Sequence, residues 1–557
     1  MLNKILNYLN DVKNIYRIFF FIVVFLCIVK LPPLITADIQ PWDEGMYAAR
    51  VLSISENGDF IDQSSHSVGK FYSGSHPPLL IWIGYFSSLI FGLNSVTLKM
   101  IPFIFSLLCL LLLILIGKEM FSPLAGITAA LIFSGNIIFN IFSKRFQFDI
   151  PYTFFILLSF YFFLLYLSKK KTAYNILGGV AFGLCLMVKI LVGFYIPIII
   201  FIFYLFTRKK TGYRFTDLLI FSLTGIIISL PWHLYMLSAH GTDFLDYFFR
   251  FHIFDRAFSG VEHNTKGSGY FYHINYLLSI IPFGILIFIS TIKDFIEIKI
   301  IGIKKLFLVI WFLTGLVIIT LFKTKLEVYI LLILAPGSLL LAEYLLRLND
   351  LSAKEKNTII FLTALNIIWS ITLILRDSLQ YRELLFKNIF IVSTVMLISG
   401  IVLFFVIKLI SDRITIVNFY YLFIFLFCTG INVYYLFRVP EWEDTYRIRE
   451  VKEMIETGGS SGIIYISPNY RANPQLSFYF NGIDLGWGKC RYRFELLETK
   501  NGTDKIINRL SELRDKESDV IVETDNINRS EYTEAGKFIP GNFRLIYKTR
   551  GYELYRK

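Results

Sequence analysis

Long apolar runs separated by short polar segments dominate this chain. The first run extends from about Phe19 to Leu34. Later runs are centred near residues 108, 131, 160, 181, 200, 224, 281, 313, 336, 365, 396 and 426. Because about twenty apolar residues span a bilayer as a helix, the pattern predicts about thirteen transmembrane helices. The expected fold class is therefore an all-α polytopic membrane protein.

The apolar segment from Pro77 to Leu93 is shorter and carries Gly84 and two serines. A span here would invert the sidedness of every later loop and place the basic cluster Lys169–Lys171 outside, against the positive-inside rule. We therefore predict a helix that lies in the outer interface, within an outer-face loop of residues 37–97.

The pattern changes near Val439. A charged helix is predicted at Glu441–Thr457, and short strand-like runs follow, such as Ile463–Ile466, Ser477–Phe480, Asp519–Glu523 and Phe543–Tyr547. Such alternation predicts a small α/β domain of about 115 residues. The expected division is a transmembrane domain over residues 1–437 and a soluble extracytoplasmic domain over residues 438–557.

Composition and charge agree with a membrane protein. Hydrophobic residues make up 55% of the chain, with 56 Phe and 33 Tyr, and mean hydropathy is +0.59. The net charge of +13 comes from basic residues between apolar runs rather than on one soluble face, so nucleic-acid binding is excluded. Basic clusters such as Arg208–Lys210 mark the cytoplasmic side, which places the tail outside.

The acidic pair Asp43-Glu44 directly follows the first apolar run. A carboxylate at a membrane surface can accept a proton or hold a cation, and a charge there is costly to bury unpaired. The alternative is a helix cap, because Asp is a favoured N-cap residue. The sequence does not decide which of the two acids would act as a base.

Other ionisable residues fall in loops assigned to the same outer face. They are Lys70, His76, Arg145, Asp149, Lys189, Arg256, Glu262, His263 and Lys325, with Tyr329 beside the last loop. Each taken alone also fits a cap, a plain loop or a snorkelling cation. Together they predict cations that bind the phosphate of a lipid carrier and an acid that deprotonates an acceptor.

Several of these motifs resemble one family in order and approximate spacing over about residues 15–345. They are Trp42-Asp43-Glu44-Gly45-Met46-Tyr47-Ala48, His76-Pro77-Pro78-Leu79, Phe148-Asp149-Ile150-Pro151, Pro231-Trp232, Glu262-His263, and Thr324-Lys325-Leu326 with Tyr329 and Pro336. The family is the protein-mannosyltransferase and aminoarabinose-transferase group of GT-C glycosyltransferases. His76 stands where the family usually has Lys, and Glu327 where it usually has Pro.

The resemblance implies a GT-C fold and sugar transfer from a polyprenyl-phosphate carrier, with inversion, to a lipid, protein or glycan acceptor. It implies a bacterial cytoplasmic membrane with the active site on the outer side. Asp43 matches the family's catalytic acid and Asp149 its second acid, while Glu44 stays an alternative base. No cofactor is required by the motifs, and a divalent metal at Asp43 and Asp149 stays open.

Two alternative functions also fit a lipid-linked substrate. A glycolipid transporter or flippase would place ionisable groups at the bilayer midplane and show repeated halves, whereas the acids here fall in outer loops. A surface-polysaccharide ligase or polymerase would share the carrier and differ in the size of its product.

Overall fold

We describe a computed structural model of the chain. The described residues are 8–189, 193–260, 271–274, 277, 284–297, 302–359, 361–363, 366, 416–443, 447–467, 474–482, 492–514, 518–524, 537–549 and 551–557. The predicted span near residue 396 lies outside them, as does most of the span near 365. Glu262 and His263 also lie outside.

Helices form most of the described chain. In the membrane part they are Ile15–Thr36, Asp43–Asn57, Phe71–Gly74, Leu79–Phe91, Ser95–Met120, Pro123–Ser134, Ile137–Phe142, Asp149–Lys169, Thr172–Val188, Tyr195–Thr211, Phe215–Leu245, Asp246–Ser259 (a π-helix), Gly284–Ile296, Ile303–Leu321, Leu331–Leu346 and Ile416–Glu443. Short 3₁₀ turns occur at Val12–Asn14, Ser64–His66, Glu327–Ile330 and Leu348–Asp350.

Six helical segments of the described chain are long and apolar enough to cross a membrane. They begin at Val12, Ser95, Asp149, Phe215, Ile303 and Glu327. With the sheet described below, they confirm a polytopic helical protein with a small C-terminal α/β region. The total of thirteen spans and the extracytoplasmic position of the tail stay predictions.

The segment predicted to lie in the interface forms a helix of 13 residues, Leu79–Phe91. At 1.5 Å per residue it is about 20 Å long, less than the bilayer core of about 30 Å. Its last turn exposes Leu89, Ile90 and Phe91. Gly84 lets this helix approach the Asp43–Asn57 helix, because a Cβ on Gly84 would lie 2.8 Å from the Val51 side chain. The length fits the interfacial prediction.

Glycine allows a close crossing between two helices of the membrane part. A Cβ built on Gly126 would lie 2.3 Å from the Ile114 carbonyl oxygen, and one on Gly117 would lie 2.3 Å from Gly126 Cα. Small residues permit such backbone contact between membrane helices. The crossing joins the helices Ser95–Met120 and Pro123–Ser134.

We expect Gly126→Ala to lower the unfolding temperature of the detergent-solubilised protein, because the added methyl must push the two backbones apart. Overpacking of this kind costs about 1–3 kcal/mol. Gly302→Ala is the matched control, since nothing lies within 4 Å of its added Cβ. Equal unfolding temperatures for the two variants would contradict the close crossing.

The C-terminal region is built on one five-stranded sheet. Its strands are β1 (Gly462–Ser467), β2 (Arg493–Glu498), β3 (Ser518–Glu523), β4 (Arg544–Lys548) and β5 (Tyr552–Arg556), in the order β2-β1-β3-β5-β4. The first three strands run parallel, and β5 pairs antiparallel with β3 and β4. Parallel strands covered on both faces read as continuous apolar runs, as β1 does.

The helices of this region are Ile448–Gly458, Gln475–Tyr479 and Thr503–Ser511, with a 3₁₀ turn at Thr499–Asn501. The prediction of a strand at Ser477–Phe480 is wrong, because these residues form most of the helix Gln475–Tyr479 and its end. Tertiary packing outweighs the strand preference of this apolar run, because the helix buries Leu476 and Phe480 almost fully. Strands β2 and β5 were not among the strands named from the sequence.

Candidate active site

Asp43 is the first residue of the helix Asp43–Asn57, and its side chain is exposed at a cavity of about 300 Å³. Trp42, directly before it, has a φ of 63°. A bulky residue is rarely found at positive φ, and such strain of about 1–3 kcal/mol persists only where the surroundings enforce it. The turn that presents Asp43 is therefore held in place by its neighbours.

Glu44 is fully buried beside the exposed Asp43. Its carboxylate accepts hydrogen bonds from the Gln40 and Phe146 backbone N–H groups, both at 2.8 Å, and lies 3.5 Å from Lys99 Nζ. Glu44 does not line the cavity. Its contacts join the Asp43 helix to the helix Ser95–Met120 and to the loop that precedes Asp149.

The cavity has an ionisable part and an apolar part. Its ionisable and aromatic polar lining comprises Asp43, Tyr47, Tyr72, His76, Lys189, Tyr195, His252, Arg256 and Tyr329. Its apolar lining includes Phe194, Ile198, Phe248, Ile318, Ile319, Phe322 and Leu332. Since most of the apolar residues belong to membrane helices or their ends, the cavity can hold a polar group and a hydrocarbon chain together.

Arg50 joins the two motifs that supply Asp43 and His76. Its guanidinium is fully buried and donates to the Ser73 carbonyl at 3.0 Å, the His76 carbonyl at 2.8 Å and the Gln63 side chain at 2.8 Å. Because Arg50 lies on the Asp43 helix, these bonds hold the loop around His76 against that helix.

His76 packs against a second histidine that the sequence reading missed. The ring centroids of His76 and His252 are 4.2 Å apart. Burial, and then the neighbouring His252 and Lys189, lower the pKa of His76 well below its ordinary value. His76 is therefore neutral at neutral pH and does not supply the charge of the lysine that it replaces in the family motif.

Two cations from different helical segments line the cavity. Lys189 follows the last residue of the helix Thr172–Val188, and its Nζ lies 5.7 Å from the centroid of the Tyr152 ring. Arg256 lies in the π-helix, whose backbone is tied to the loop before Tyr329 by the bond from Thr324 N to Arg256 O at 3.0 Å. A π-helix frequently marks a functional site.

Asp149 is buried at the first position of its helix. It does not line the cavity, but it interacts electrostatically with both Lys189 and Asp43. The second acid is thus near the cavity without being open to it. In the described part of the chain, no three His, Cys, Asp or Glu side chains are grouped as metal ligands.

The chain is similar in sequence to several known proteins. Residues 75–235 match the family model described as dolichyl-phosphate-mannose-protein mannosyltransferase. An uncharacterized protein from Aquifex aeolicus is 26% identical over 333 residues, which are 58% of this chain and 62% of the relative. The Pseudomonas fluorescens protein named undecaprenyl phosphate-alpha-4-amino-4-deoxy-L-arabinose arabinosyl transferase 2 is 26% identical over 338 residues, 58% of this chain and 56% of the relative.

The fold is similar to that of a solved structure. The crystal structure of ArnT from Cupriavidus metallidurans bound to undecaprenyl phosphate superposes with a TM-score of 0.68 at 15% identity, and the match covers 96% of this chain and 97% of ArnT. The chain belongs to the GT-C glycosyltransferases of the protein-mannosyltransferase and ArnT group. The GT-C fold predicted from the motifs is confirmed. The matches in sequence cover less than two thirds of either relative above.

Some predicted site residues do not line the cavity that contains Asp43. Lys70 is exposed and precedes the short helix Phe71–Gly74. Arg145 is half-buried, 5.9 Å from the Phe142 ring centroid. Lys325 is buried, and its Nζ donates to the Ile319 carbonyl at 2.9 Å and to the Thr320 carbonyl, at the end of a membrane helix. None of the three lines the cavity.

His252 is the main residue of the cavity that the sequence analysis did not predict. It lies four residues before Arg256 in a stretch already singled out for its charges. Spacing of i and i+4 places two side chains on the same face of a helix, which was the available signal. Tyr47 was visible in the acidic motif, but an aromatic residue next to a membrane span is usually interfacial.

Proposed function

We propose that this protein is an integral membrane glycosyltransferase that moves a sugar from a polyprenyl-phosphate carrier to an acceptor. One observation carries the proposal. A single cavity combines the exposed carboxylate of Asp43 with the cations Lys189 and Arg256 and with an apolar wall formed by membrane helices. Relatives named for arabinose transfer from undecaprenyl phosphate support this class of donor.

The reaction follows from these groups. Asp43 takes the proton of an acceptor hydroxyl or amine as the acceptor attacks the anomeric carbon. The bond between that carbon and the phosphate oxygen breaks, and the polyprenyl phosphate leaves with its negative charge stabilised by Lys189 and Arg256. A single displacement of this kind inverts the configuration. Positioning supplies much of the remaining rate enhancement.

The other predicted site residues have supporting places in this proposal. Asp149 is buried beside the cavity and interacts electrostatically with Lys189, so we assign it to orienting that ammonium group toward the phosphate. Glu44 is assigned to structure rather than to catalysis, because its oxygens already accept two backbone hydrogen bonds. His76, His252 and Tyr329 line the space around the sugar and the phosphate. We place this cavity on the outer side of the bacterial cytoplasmic membrane, because the basic clusters fall on the opposite side.

The test is release of free polyprenyl phosphate from a panel of polyprenyl-phosphate sugars. Purified protein in detergent is mixed with a cell-envelope extract as the source of acceptor, and Asp43→Asn serves as the inactive comparison. Release that requires the wild-type protein, together with a glycosylated product, is expected. Since detergent abolishes transport, binding of these lipids with no turnover of any of them would favour a transporter instead.

We expect Lys189→Met to lower kcat/KM for the donor by about 10–100-fold, since a hydrogen bond to a charged group contributes about 1.5–3 kcal/mol. The same assay with varied donor concentration measures this. Lys171→Met is the control, because Lys171 is an exposed lysine at the opposite end of the helix Thr172–Val188 and does not line the cavity. At 1.5 Å per residue that helix is about 26 Å long. Unchanged kinetics of Lys189→Met would remove Lys189 from phosphate binding.

A further inference from the structure

We infer that the C-terminal region sets the position of Asp43, and that Gln475 and Tyr479 are positioning residues for the transfer reaction. The inference rests on the proposed function, because the position of Asp43 affects the reaction rate only if Asp43 is the base. A tail that only recognised the acceptor or only added stability would not need to contact the turn that presents this carboxylate.

The first contact lies two residues after Asp43. A Cβ on Gly45 would lie 2.5 Å from the backbone nitrogen of Gln475 and 3.0 Å from its Cα. The short helix Gln475–Tyr479 therefore packs directly on the backbone of the first turn of the Asp43 helix. Only glycine permits this approach, since any Cβ at position 45 would have to displace the backbone of the other segment.

The second contact lies before Asp43. The Tyr479 hydroxyl accepts a hydrogen bond from the Ile39 backbone N–H at 3.0 Å. Arg449 forms an ion pair with Asp38 at 2.8 Å, and its backbone N–H donates to the same carboxylate at 2.9 Å. The residues that lead into the Asp43 turn are thus bonded to two helices of the tail, which fixes the direction in which the helix enters.

The helix Gln475–Tyr479 is itself held from behind by the sheet. Gln475 is fully buried, and its side-chain amide donates to the Tyr552 hydroxyl on β5. Leu476 and Tyr552 belong to the same apolar core as Met46 and Tyr47 of the Asp43 helix. One continuous core thus runs from the sheet through this short helix to the turn below, and it gives that turn a rigid support.

This arrangement also accounts for the strained Trp42. A residue with a φ of 63° at the start of a helix requires fixed neighbours on both sides. The membrane part supplies one side through Glu44, whose carboxylate is bonded to Gln40. The tail supplies the other through Ile39 and Gly45.

Two conservative variants test the inference in the full-length protein, with kcat, donor KM and unfolding temperature as readouts. Tyr479→Phe keeps the ring and removes the acceptor of the Ile39 N–H. Gly45→Ala adds one methyl against Gln475. Since a shift of about 1 Å in a reacting group can reduce a rate by about a hundredfold, we expect kcat to fall about tenfold in Tyr479→Phe and about a hundredfold in Gly45→Ala.

Donor KM should stay within about twofold of wild type in both variants, because the cations Lys189 and Arg256 lie on other segments of the chain. The matched controls are Tyr555→Phe, which removes a tail hydroxyl that donates to Glu553, and Gly541→Ala, whose added Cβ meets nothing within 4 Å. Both controls should keep the wild-type kcat. Tyr479→Phe and Gly45→Ala are expected to have a lower kcat per folded molecule than these controls, and not only a lower unfolding temperature.

Wild-type kcat in Tyr479→Phe with only a lowered unfolding temperature would overturn the inference and leave the tail a stabilising domain. If Gly45→Ala does not fold, Tyr479→Phe decides. Asp43→Asn in the same assay separates the two proposals. Full activity of Asp43→Asn would remove the proposed base, whereas an inactive Asp43→Asn beside a fully active Tyr479→Phe would overturn the positioning role alone.

Discussion

Replacement of Asp43 by asparagine is expected to reduce sugar transfer by about a hundredfold to ten-thousandfold, the range that general base catalysis contributes. The amide keeps the size of the side chain and loses its ability to take a proton. Because Asp43 is exposed at the cavity and has no buried contacts to lose, expression and unfolding temperature should stay at wild-type values. Product formation from a polyprenyl-phosphate sugar measures the effect.

The control for Asp43→Asn is Asp243→Asn, which makes the same change at an exposed acid outside the cavity lining. It should transfer sugar at the wild-type rate. Full activity of Asp43→Asn would show that another group takes the proton, and the buried Asp149 would then be the next acid to replace.

Glu44→Ala is expected to prevent stable folding, although the altered residue is adjacent to Asp43. It strands the buried Lys99 ammonium and leaves the Gln40 and Phe146 N–H groups without their acceptor. Breaking one partner of a buried ion pair costs about 3–5 kcal/mol. The measurement is the yield of monodisperse protein after detergent extraction, together with its unfolding temperature.

A second substitution shows whether the ion pair is the cause. Lys99→Met in the Glu44→Ala background removes the stranded charge and should recover part of the lost stability. A Glu44→Ala protein that folds normally and only loses kcat would instead show that Glu44 takes part in the chemistry.

The apolar pattern was sufficient to predict a polytopic helical membrane protein, because length and hydropathy are the physical requirements for crossing a bilayer. It was also sufficient to indicate Asp43 as a candidate, since an unpaired charge beside a membrane span is costly to bury and is often functional. The apolar pattern could not decide whether Asp43 or Glu44 is the acid exposed to the cavity. Neighbouring residues on a helix point about 100° apart, and only the position of the other elements decides which one is buried.

The short helix Gln475–Tyr479 shows a different limit. Its run of apolar and aromatic residues is typical of a strand, and local preference alone gave no reason to expect otherwise. The contact that decides its conformation is made with Gly45, far away in the sequence. The ion pair between Asp38 and Arg449 could not be predicted either, because its partners are also far apart in the sequence. His252 was hidden because its partner His76 lies on another segment.

The bond between Ile39 and Tyr479 joins residues 440 positions apart. A ribosome makes the Asp43 turn early and the residues that buttress it near the end of synthesis. At about 5–20 residues per second, the turn waits at least about twenty seconds in the membrane before its support is made. Throughout that interval the growing chain can hold its membrane helices without the completed support for the proposed base, so nascent protein would have no accurately placed Asp43 until the tail has folded onto it.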